Sequence, residues 1–454
     1  MGRERRMSSR TAWLVTNLIC VLVMGCSSDG DSVVEPEPSP PPAAPDPDPL
    51  PIGVYKLTGT NPDFSYVDLD PLRRIIGSAR FVALGESTHT SGGYYQAKAR
   101  LIRYMVEQLG FRVVTMETPW LEAAAAERYV ATCAGTPEDA LRSLNGVWRD
   151  TNVRDLLRWL CEYNRANPAD PVTFFGFDIQ EPGLSTDHVR QFIDAAAPGE
   201  EGRGEPLLNC LGAPYLVLAD FYRSQQYRDL LGGQRDAAAH DACIAAISDL
   251  EAWIASNAVV LQTATSAAQV EHSRLALVAL RAWENQLWVP NPGGYQARDY
   301  GMAELLRRLH ALYTPNRKTV IWAWNWHIAR RYEEVHGFDD DPQAPVSRQG
   351  ARAMGGFLHD AYGNDYLPIA LIGYRVEINS GGVTPPLQVH PESVERRLHD
   401  LGWNVLLVDL RQPLPESLLP VGGTFRVSQE WGDPYRQFGA LLFLDYSPPM
   451  SYVP

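Results

Sequence analysis

"FVALGESTHTSGGYYQAKARLIRYMVEQLGFRVVTMET", residues 81–118, has the pattern of a strand, a helix and a second strand. Its two apolar runs are near-continuous rather than alternating, which is typical of parallel strands that are buried on both faces. Between them, the apolar side chains of residues 97–105 fall on one stripe of a helix, and Gly110 stands where that helix should end. This unit predicts an α/β fold.

Similar apolar runs recur along the chain, each bounded by turn or polar residues. They are residues 80–85, 111–116, 172–177, 319–324, 368–374, 404–410 and 439–445. Helical patterns alternate with them, which predicts a mainly parallel sheet flanked by helices. From about residue 207 to 315 the strand runs give way to helical periodicity, and we expect an inserted helical subdomain there.

The composition is that of a folded globular protein and excludes one broad class of function. Of the 454 residues, 45% are hydrophobic and 21% are charged, and the formal net charge is −14. Nucleic-acid binding needs a basic surface that neutralises phosphates, so this acidic balance argues against a nucleic-acid partner.

The N-terminal residues have the features of an export signal followed by a tether. A basic segment precedes an apolar stretch that is too short for a confident membrane span. The stretch ends in "VLVMGC", which resembles the lipobox of bacterial lipoproteins, with Cys26 as the lipidated residue. We therefore expect a signal peptide over residues 1–25, a Pro- and acid-rich tether over 26–52, and a folded body over 53–454. The protein would be lipid-anchored in the cell envelope, on the outer-membrane or periplasmic side; a plain signal peptide or a membrane anchor is the alternative.

Cysteine usage agrees with export. Four cysteines lie in the body, at positions 133, 161, 210 and 243, and the simplest pairing joins sequence neighbours. The sequence alone also allows the other connectivities, or four free buried thiols. With no CxxC motif, a zinc knuckle is not expected.

Polar side chains follow several of the predicted strands, at the point where each strand ends. They are Glu86, His89, Glu117, Asp178, Asn325, His327 and Arg375. The carboxyl ends of parallel strands lie along one edge of a sheet, where α/β proteins bind ligands. Five strands would therefore bring acids, histidines and an arginine to one rim. Ser87 and Thr88 have a simpler interpretation as N-caps of the following helix.

This set of side chains fits hydrolysis. A histidine with a pKa near ~6.5 removes a proton from water at neutral pH when a carboxylate orients it, which is the role we predict for His89. Glu86 or Glu117 would hold its tautomer, and His327 would polarise the carbonyl or protonate the leaving oxygen. No GxSxG elbow favours a serine nucleophile. A metal held by these histidines and glutamates is an alternative, but no HExxH or similar pair occurs, so neither metal nor cofactor is expected.

At these residues the sequence resembles the erythromycin esterase family. The family's LGExxHG signature and following helix resemble "LGESTHTSGGYYQAKAR", its GFD segment "FFGFDIQ", its RDxxMAxN helix "ARDYGMAELL", and its WAHNxH strand end "WAWNWH". The resemblance implies hydrolysis of an ester, in the best-known members a macrolide lactone. It implies catalytic roles for His89, Glu86, Glu117 and His327, and it is the basis for expecting substrate binding by Lys98, Asp178, Trp324, Asn325 and Arg298.

Some positions depart from the family pattern. Trp324 replaces the first histidine of WAHNxH, Thr90 replaces a glycine, Gly93 replaces a glutamate, and Leu305 replaces an asparagine. Three tryptophans at 322, 324 and 326 are expected to line the pocket, which favours a flatter or smaller substrate than a macrolide. A non-enzymatic binding lipoprotein that keeps the cleft, and a role with envelope polysaccharide, are the competing hypotheses.

Overall fold

The quoted stretch forms the predicted strand, helix and strand. A computed structural model describes residues 50–211, 237–289, 291–338, 350–379, 389–423, 425–427 and 430–454. In it, strand Phe81–Leu84 leads into helix Gly92–Leu109 and then strand Phe111–Pro119. Gly110 ends the helix in the left-handed region, with φ 72°, and its N–H donates to the carbonyl of Met105. The predicted signal peptide, Cys26 and the tether up to residue 49 lie outside the described residues.

All the predicted apolar runs form strands, and in the described residues they belong to one eight-stranded sheet. The strands are β1 Val54–Lys56, β2 Phe81–Leu84, β3 Phe111–Pro119, β4 Thr173–Asp178, β5 Lys318–Trp322, β6 His336–Phe338, β7 Tyr366–Val376, β8 Val405–Asp409, β9 Phe425–Val427, β10 Glu430–Gly432 and β11 Ala440–Ser447. The order of strands in the eight-stranded sheet is β1-β8-β11-β7-β2-β5-β3-β4. The pairs from β11 through β7, β2, β5 and β3 to β4 are parallel. The mainly parallel sheet is thus confirmed, except that β8 pairs antiparallel with both β11 and β1.

Helices cover both faces of the sheet. The α-helices are α1 Asp70–Ile76, α2 Gly92–Leu109, α3 Ala124–Thr132, α4 Pro137–Arg142, α5 Thr151–Ala166, α6 Pro182–Ala196, α7 Leu208–Leu211, α8 Ala237–Ser256, α9 Ala258–Ala264, α10 Ala267–Trp288, α11 Gly293–Tyr313, α12 Asn325–Ile328, α13 Met354–Tyr362, α14 Val394–His399 and α15 Pro434–Gln437. Short 3-10 helices lie at Val67–Leu69, Gly146–Trp148, Glu201–Leu207, Tyr332–Glu334 and Gly363–Asp365.

Two hydrophobic cores lie on opposite faces of the sheet. Alternate side chains of β2 point to opposite sides, so Val82 and Leu84 join one core while Phe81 and Ala83 join the other. The first core is closed by α1, α2 and α5. The second is closed by α6, α8, α10 and α11, so the described part of residues 207–315 is helical and shares its core with the sheet.

Two disulfide bonds tie helices together. Cys133 bonds Cys161, joining the end of α3 to α5, and Cys210 bonds Cys243, joining α7 to α8. The pairing of sequence neighbours is therefore confirmed. Among the described residues no single helix has the length and apolarity of a membrane span, although the bent pair His240–Ser256 and Ala258–Ala264 meets both criteria together.

A second, small sheet was not predicted. It has the order β6-β10-β9, and both of its pairings are antiparallel. Each strand has three residues, and β6 and β10 are far apart in sequence. It lies beside the loop that follows β5, because side chains from both line one cleft.

Candidate active site

The ends of four adjacent strands, β2, β5, β3 and β4, bring the predicted polar residues together. Glu86 and His89 follow β2, and His327 follows β5. Glu117 and Asp178 lie within the last three residues of β3 and β4. The prediction that a fifth strand contributes Arg375 is wrong. Strand β7 continues to Val376, and the Arg375 side chain is 61% exposed and pairs with Glu377 instead.

His89 is held by Glu86. Its Nδ1 lies 3.1 Å from Glu86 Oε1, and the imidazole is 18% exposed whereas the carboxylate is fully buried. Trp148 packs edge-on against the imidazole, with ring centroids 4.9 Å apart. A carboxylate at Nδ1 fixes the tautomer and orientation of the ring, as the sequence predicted for Glu86.

Lys98 occupies a different place from that expected of a substrate-binding residue. It projects from α2, is fully buried, pairs with Glu86, and donates to the carbonyl of Ala323 at 3.2 Å. Its Nζ lies 4.6 Å from the centre of the Trp322 ring. Burial lowers the pKa of Lys98 well below its usual value. Lys98 therefore contacts the back of Glu86, on the side away from His89.

Ser87 and Thr88 are not N-caps, which corrects the simpler interpretation. Helix α2 begins at Gly92, with Ser91 at the capping position. The Ser87 hydroxyl lies 2.7 Å from that of Tyr94, and the Thr88 hydroxyl donates to the carbonyl of His89. Both therefore shape the loop that carries His89.

Arg298 connects three of the other strand-end groups. From α11 it donates to both carboxylate oxygens of Asp178, at 3.1 and 2.8 Å, and to Glu117 Oε1 at 2.9 Å. Its third nitrogen lies 3.0 Å from His327 Nε2. The guanidinium is 6% exposed, and its pKa is raised because the Asp178 and Glu117 carboxylates outweigh desolvation. Arg298 and Asp178 thus lie together in the site.

His327 is fully buried and engaged through both ring nitrogens. Nδ1 lies 2.8 Å from Asp299 Oδ1, and Nε2 lies 3.2 Å from Glu117 Oε1. Desolvation lowers its pKa, but the Asp299 and Glu117 carboxylates outweigh it, so the pKa of His327 is raised. Asp299 also accepts the N–H of Met354 at 2.7 Å. Our predicted site left Asp299 out, although it stands beside Arg298 in the "RD" pair.

Glu117 is ionised in this environment. Burial raises its pKa, but His327, Arg298 and His89 lower it more, and the net pKa lies well below the usual value. Its second oxygen accepts the backbone N–H of Trp324 at 3.0 Å. One carboxylate therefore links β3, β5 and α11.

These groups open onto a pocket with about 240 Å³ of empty space, here called the polar pocket. Its lining residues are His89, Glu117, Asn145, Val147, Trp148, Asp178, Gln180 and Arg298. Sequence reasoning missed Trp148, which lies in a short 3-10 helix and donates its indole N–H to the carbonyl of Glu117 at 2.7 Å. It follows no strand, so only its tertiary contacts reveal its position.

The tryptophans at positions 322, 324 and 326 lie on two sides of the sheet, Trp322 on one and the other two on the opposite side. The expectation that Trp322 lines the pocket is wrong, because it is fully buried beside Lys98 and Trp148. Trp324 and Trp326 line a second opening, here called the aromatic cleft, with about 540 Å³ of empty space. The alternation of strand side chains does not extend to Trp324 because β5 ends at Trp322.

Asn325 was predicted to bind substrate, but its amide is bonded to the sheet. Nδ2 donates to the carbonyl of Leu371 at 2.9 Å, and Oδ1 accepts the N–H of the same residue at 3.2 Å. A Cβ at Gly85 would lie 2.0 Å from Asn325 Oδ1, so glycine is required at this crossing.

Two departures from the family pattern lie where backbone conformation or close packing matters. Thr90 adopts φ 63°, a strained conformation for a β-branched residue, and its N–H donates to the Tyr95 hydroxyl at 2.7 Å. Gly93 faces the end of β11, where a Cβ would lie 2.4 Å from Ser447 Oγ. A glutamate at position 93 would therefore collide with this chain's own C-terminal strand.

A metal site formed by the two histidines and two glutamates was the alternative chemistry. Within the part of the chain that the structure describes, no group of three or more His, Cys, Asp or Glu side chains has an arrangement that could hold a metal ion.

A family model, a related sequence and a solved structure that resemble this chain all carry the name erythromycin esterase. The family model "Erythromycin esterase" matches residues 106–445. An Escherichia coli protein named erythromycin esterase type II is 34% identical over 125 residues, which is 28% of this chain and 29% of that protein. A Bacillus cereus crystal structure gives a TM-score of 0.70 at 21% identity, covering 88% of this chain and 97% of that one. A mutant of an erythromycin esterase in its open conformation gives 0.67 at 18% identity, covering 87% and 98%.

Proposed function

Because the chain belongs to the erythromycin esterase family, we propose that it hydrolyses a carboxylic ester or lactone with a water molecule that His89 deprotonates. The observation that carries the proposal is the contact between His89 Nδ1 and the buried Glu86 carboxylate, beside a pocket that Arg298 also lines. A positioned general base contributes about 10²–10⁴-fold to such a reaction.

In the proposed reaction, His89 takes one proton from water while the oxygen of that water bonds to the ester carbonyl carbon. The carbonyl electron pair moves to its oxygen, which becomes an oxyanion. The intermediate then collapses, the bond to the alcohol oxygen breaks, and the His89 imidazolium returns its proton to that oxygen. Acid and alcohol leave, and Glu86 stabilises the imidazolium in the middle of the sequence.

We assign the stabilisation of the oxyanion to Arg298 rather than to His327. Arg298 lines the polar pocket and carries a fixed positive charge, whereas His327 is fully buried with both nitrogens engaged. The earlier role for His327, polarising the carbonyl or protonating the leaving oxygen, therefore becomes a positioning role. It holds Glu117 and thereby Arg298.

The finer form of the proposal is inactivation of an ester-containing antibiotic, which the names of the relatives support. A non-enzymatic binding protein is not favoured, because Glu86 pairs with His89 and Glu117 pairs with His327 at the same edge of the sheet. We also propose that the chain is exported and lipid-anchored at Cys26, for which the two disulfide bonds are supporting observations. Labelling with palmitate that is lost in Cys26→Ser would test the anchor.

Hydrolysis is tested with a panel of esters and lactones on the purified full-length protein, measured by acid release. His89→Ala should lose about 10²–10⁴-fold in kcat/KM. The matched control is His399→Ala, since His399 contacts Asp445 and lines neither the polar pocket nor the aromatic cleft. Equal turnover by His89→Ala and the native protein would contradict the assignment of the base.

A further inference from the structure

We infer that the aromatic cleft binds the planar, uncharged part of the ester while the polar pocket holds the reacting carbonyl. This inference rests on the proposed hydrolysis and names its substrate class, an ester of an aromatic or other flat apolar alcohol. The cleft is lined by Trp324, Trp326, Tyr332, Val335, Val427 and Phe438, among others.

The cleft lies next to the residues of the polar pocket, because Trp324 lines the cleft and contacts two of them, Glu117 and His89. The Trp324 backbone N–H donates to Glu117 at 3.0 Å, and its ring centroid lies 5.4 Å from that of His89, yet the same side chain lines the cleft. Ser87, two residues before His89, also lines the cleft. An ester whose carbonyl lies beside His89 therefore places one substituent against the Trp324 ring.

The shape and chemistry of the walls select a flat apolar group. The rings of Trp324 and Trp326 are 5.7 Å apart and nearly perpendicular, which forms a corner that accepts a ring by edge and by face. The other side chains at this corner, Tyr332, Val335 and Phe438, are aromatic or aliphatic, so the walls offer apolar surface to such a ring.

Charge excludes one class of occupant. Glu430 is the charged residue among the described residues lining the cleft, where no lysine, arginine or histidine occurs. The Tyr332 hydroxyl donates to Glu430 at 2.6 Å, which keeps this carboxylate at the cleft wall. A carboxylate or phosphate on the substrate would face the Glu430 carboxylate across the cleft, so anionic substituents are disfavoured.

The test compares three butyrate esters on the full-length protein: 2-naphthyl, 6-carboxy-2-naphthyl and methyl. The native protein should prefer the naphthyl ester over both others. Trp324→His keeps a planar side chain but removes the large ring, and should lower the naphthyl-to-methyl ratio of kcat/KM by about 10-fold. Val427→Lys, which adds a cation to the cleft, should raise the carboxynaphthyl-to-naphthyl ratio. Trp159→His is the control, since Trp159 packs on Tyr163 and lines neither opening.

Binding of 2-naphthol, measured by calorimetry, separates this inference from the proposed reaction. Suppose that esters are hydrolysed, but that Trp324→His leaves the naphthyl-to-methyl ratio of kcat/KM unchanged and Val427→Lys leaves the carboxynaphthyl-to-naphthyl ratio unchanged. The cleft is then not the substrate site, and the inference is overturned. If no ester is hydrolysed but 2-naphthol binds and both variants weaken it, the cleft binds planar groups and the proposed hydrolysis fails. Absence of both turnover and binding overturns both.

Discussion

Replacing Arg298 with methionine should destabilise the protein strongly at neutral pH. The guanidinium is 6% exposed and makes hydrogen bonds of 3.1 and 2.8 Å to Asp178 and one of 2.9 Å to Glu117. Methionine fills similar space but leaves Asp178 and Glu117 buried without the guanidinium that pairs with both. Removing one partner of a buried ion pair costs about 3–5 kcal/mol, and we expect a loss in free energy of unfolding of that size.

The loss should depend on pH in a defined direction. In the native protein the pKa of Glu117 lies well below its usual value, through His327, Arg298 and His89 acting against burial. A carboxyl of this kind stabilises the fold above its unfolded-state pKa, about 4.3, and this contribution is lost as the pH falls through the lower folded-state pKa. Without Arg298 the folded-state pKa of Glu117 rises, so the difference between native and variant is largest near neutral pH and shrinks in acid.

Urea titrations followed by tryptophan fluorescence, at neutral pH and below the unfolded-state carboxyl pKa of about 4.3, measure both effects. The matched control is Arg281→Met, which removes an exposed pair: Arg281 and Glu251 are 31% and 37% exposed, with nitrogen and oxygen 2.7 Å apart. That change should cost about 1 kcal/mol or less. An Arg298→Met loss as small as that of the control, or one that is equal at both pH values, would refute the reasoning.

Three further predictions concern other contacts of the site and the fold. Lys98→Met removes the buried amine that pairs with Glu86, so kcat/KM should fall by about 10-fold or more. The acid limb of the pH profile should move to higher pH, because the Glu86 carboxylate then acts more strongly on His89; an unchanged pH profile would contradict a role through Glu86. His327 has a raised folded-state pKa, so its contribution to stability is complete below the unfolded-state pKa of about 6.5 and is lost as the pH rises through the folded-state pKa. In urea unfolding, the native protein should therefore exceed His327→Gln in stability by less at alkaline pH than at acidic pH. A difference that does not change with pH would argue against this. Joint replacement of Cys133 and Cys161 by serine opens a cross-link between residues 28 apart and should cost about 3 kcal/mol in urea unfolding, whereas a variant as stable as the native protein would show that the bond contributes little.

The strands were predictable because burial on both faces leaves a local signal. Each central strand is a short run of apolar residues, and the sequence located all of these runs. It did not predict that β8 pairs antiparallel with its neighbours. Strand β8 has the same buried pattern as its parallel neighbours, so nothing in its residues distinguishes antiparallel pairing. The small sheet left no such signal, since its strands have three residues and pair across distant parts of the chain.

The site was partly predictable for the same reason. The contact between Glu86 and His89 lies within one loop, three residues apart, so sequence spacing was sufficient. Three other contacts depend on how helices pack on the sheet: Lys98 with Glu86, Asp299 with His327, and Trp148 with His89. Those contacts join residues that are not neighbours in the chain, and no local pattern records them.

The Asn325 side chain fixes the position of the segment that carries His327, after β5, relative to the loop that carries His89, after β2. Strand β2 leaves the sheet at Gly85, and the next peptide position beside β7 is taken by the Asn325 amide, which pairs with Leu371 as a backbone peptide would. The sheet is thus continued for one residue by a side chain from the first residue of α12, in space that Gly85 leaves open. An aspartate at 325 would keep the shape but turn the donor into an acceptor facing a carbonyl, and the loops of His89 and His327 would lose the strut that spans them.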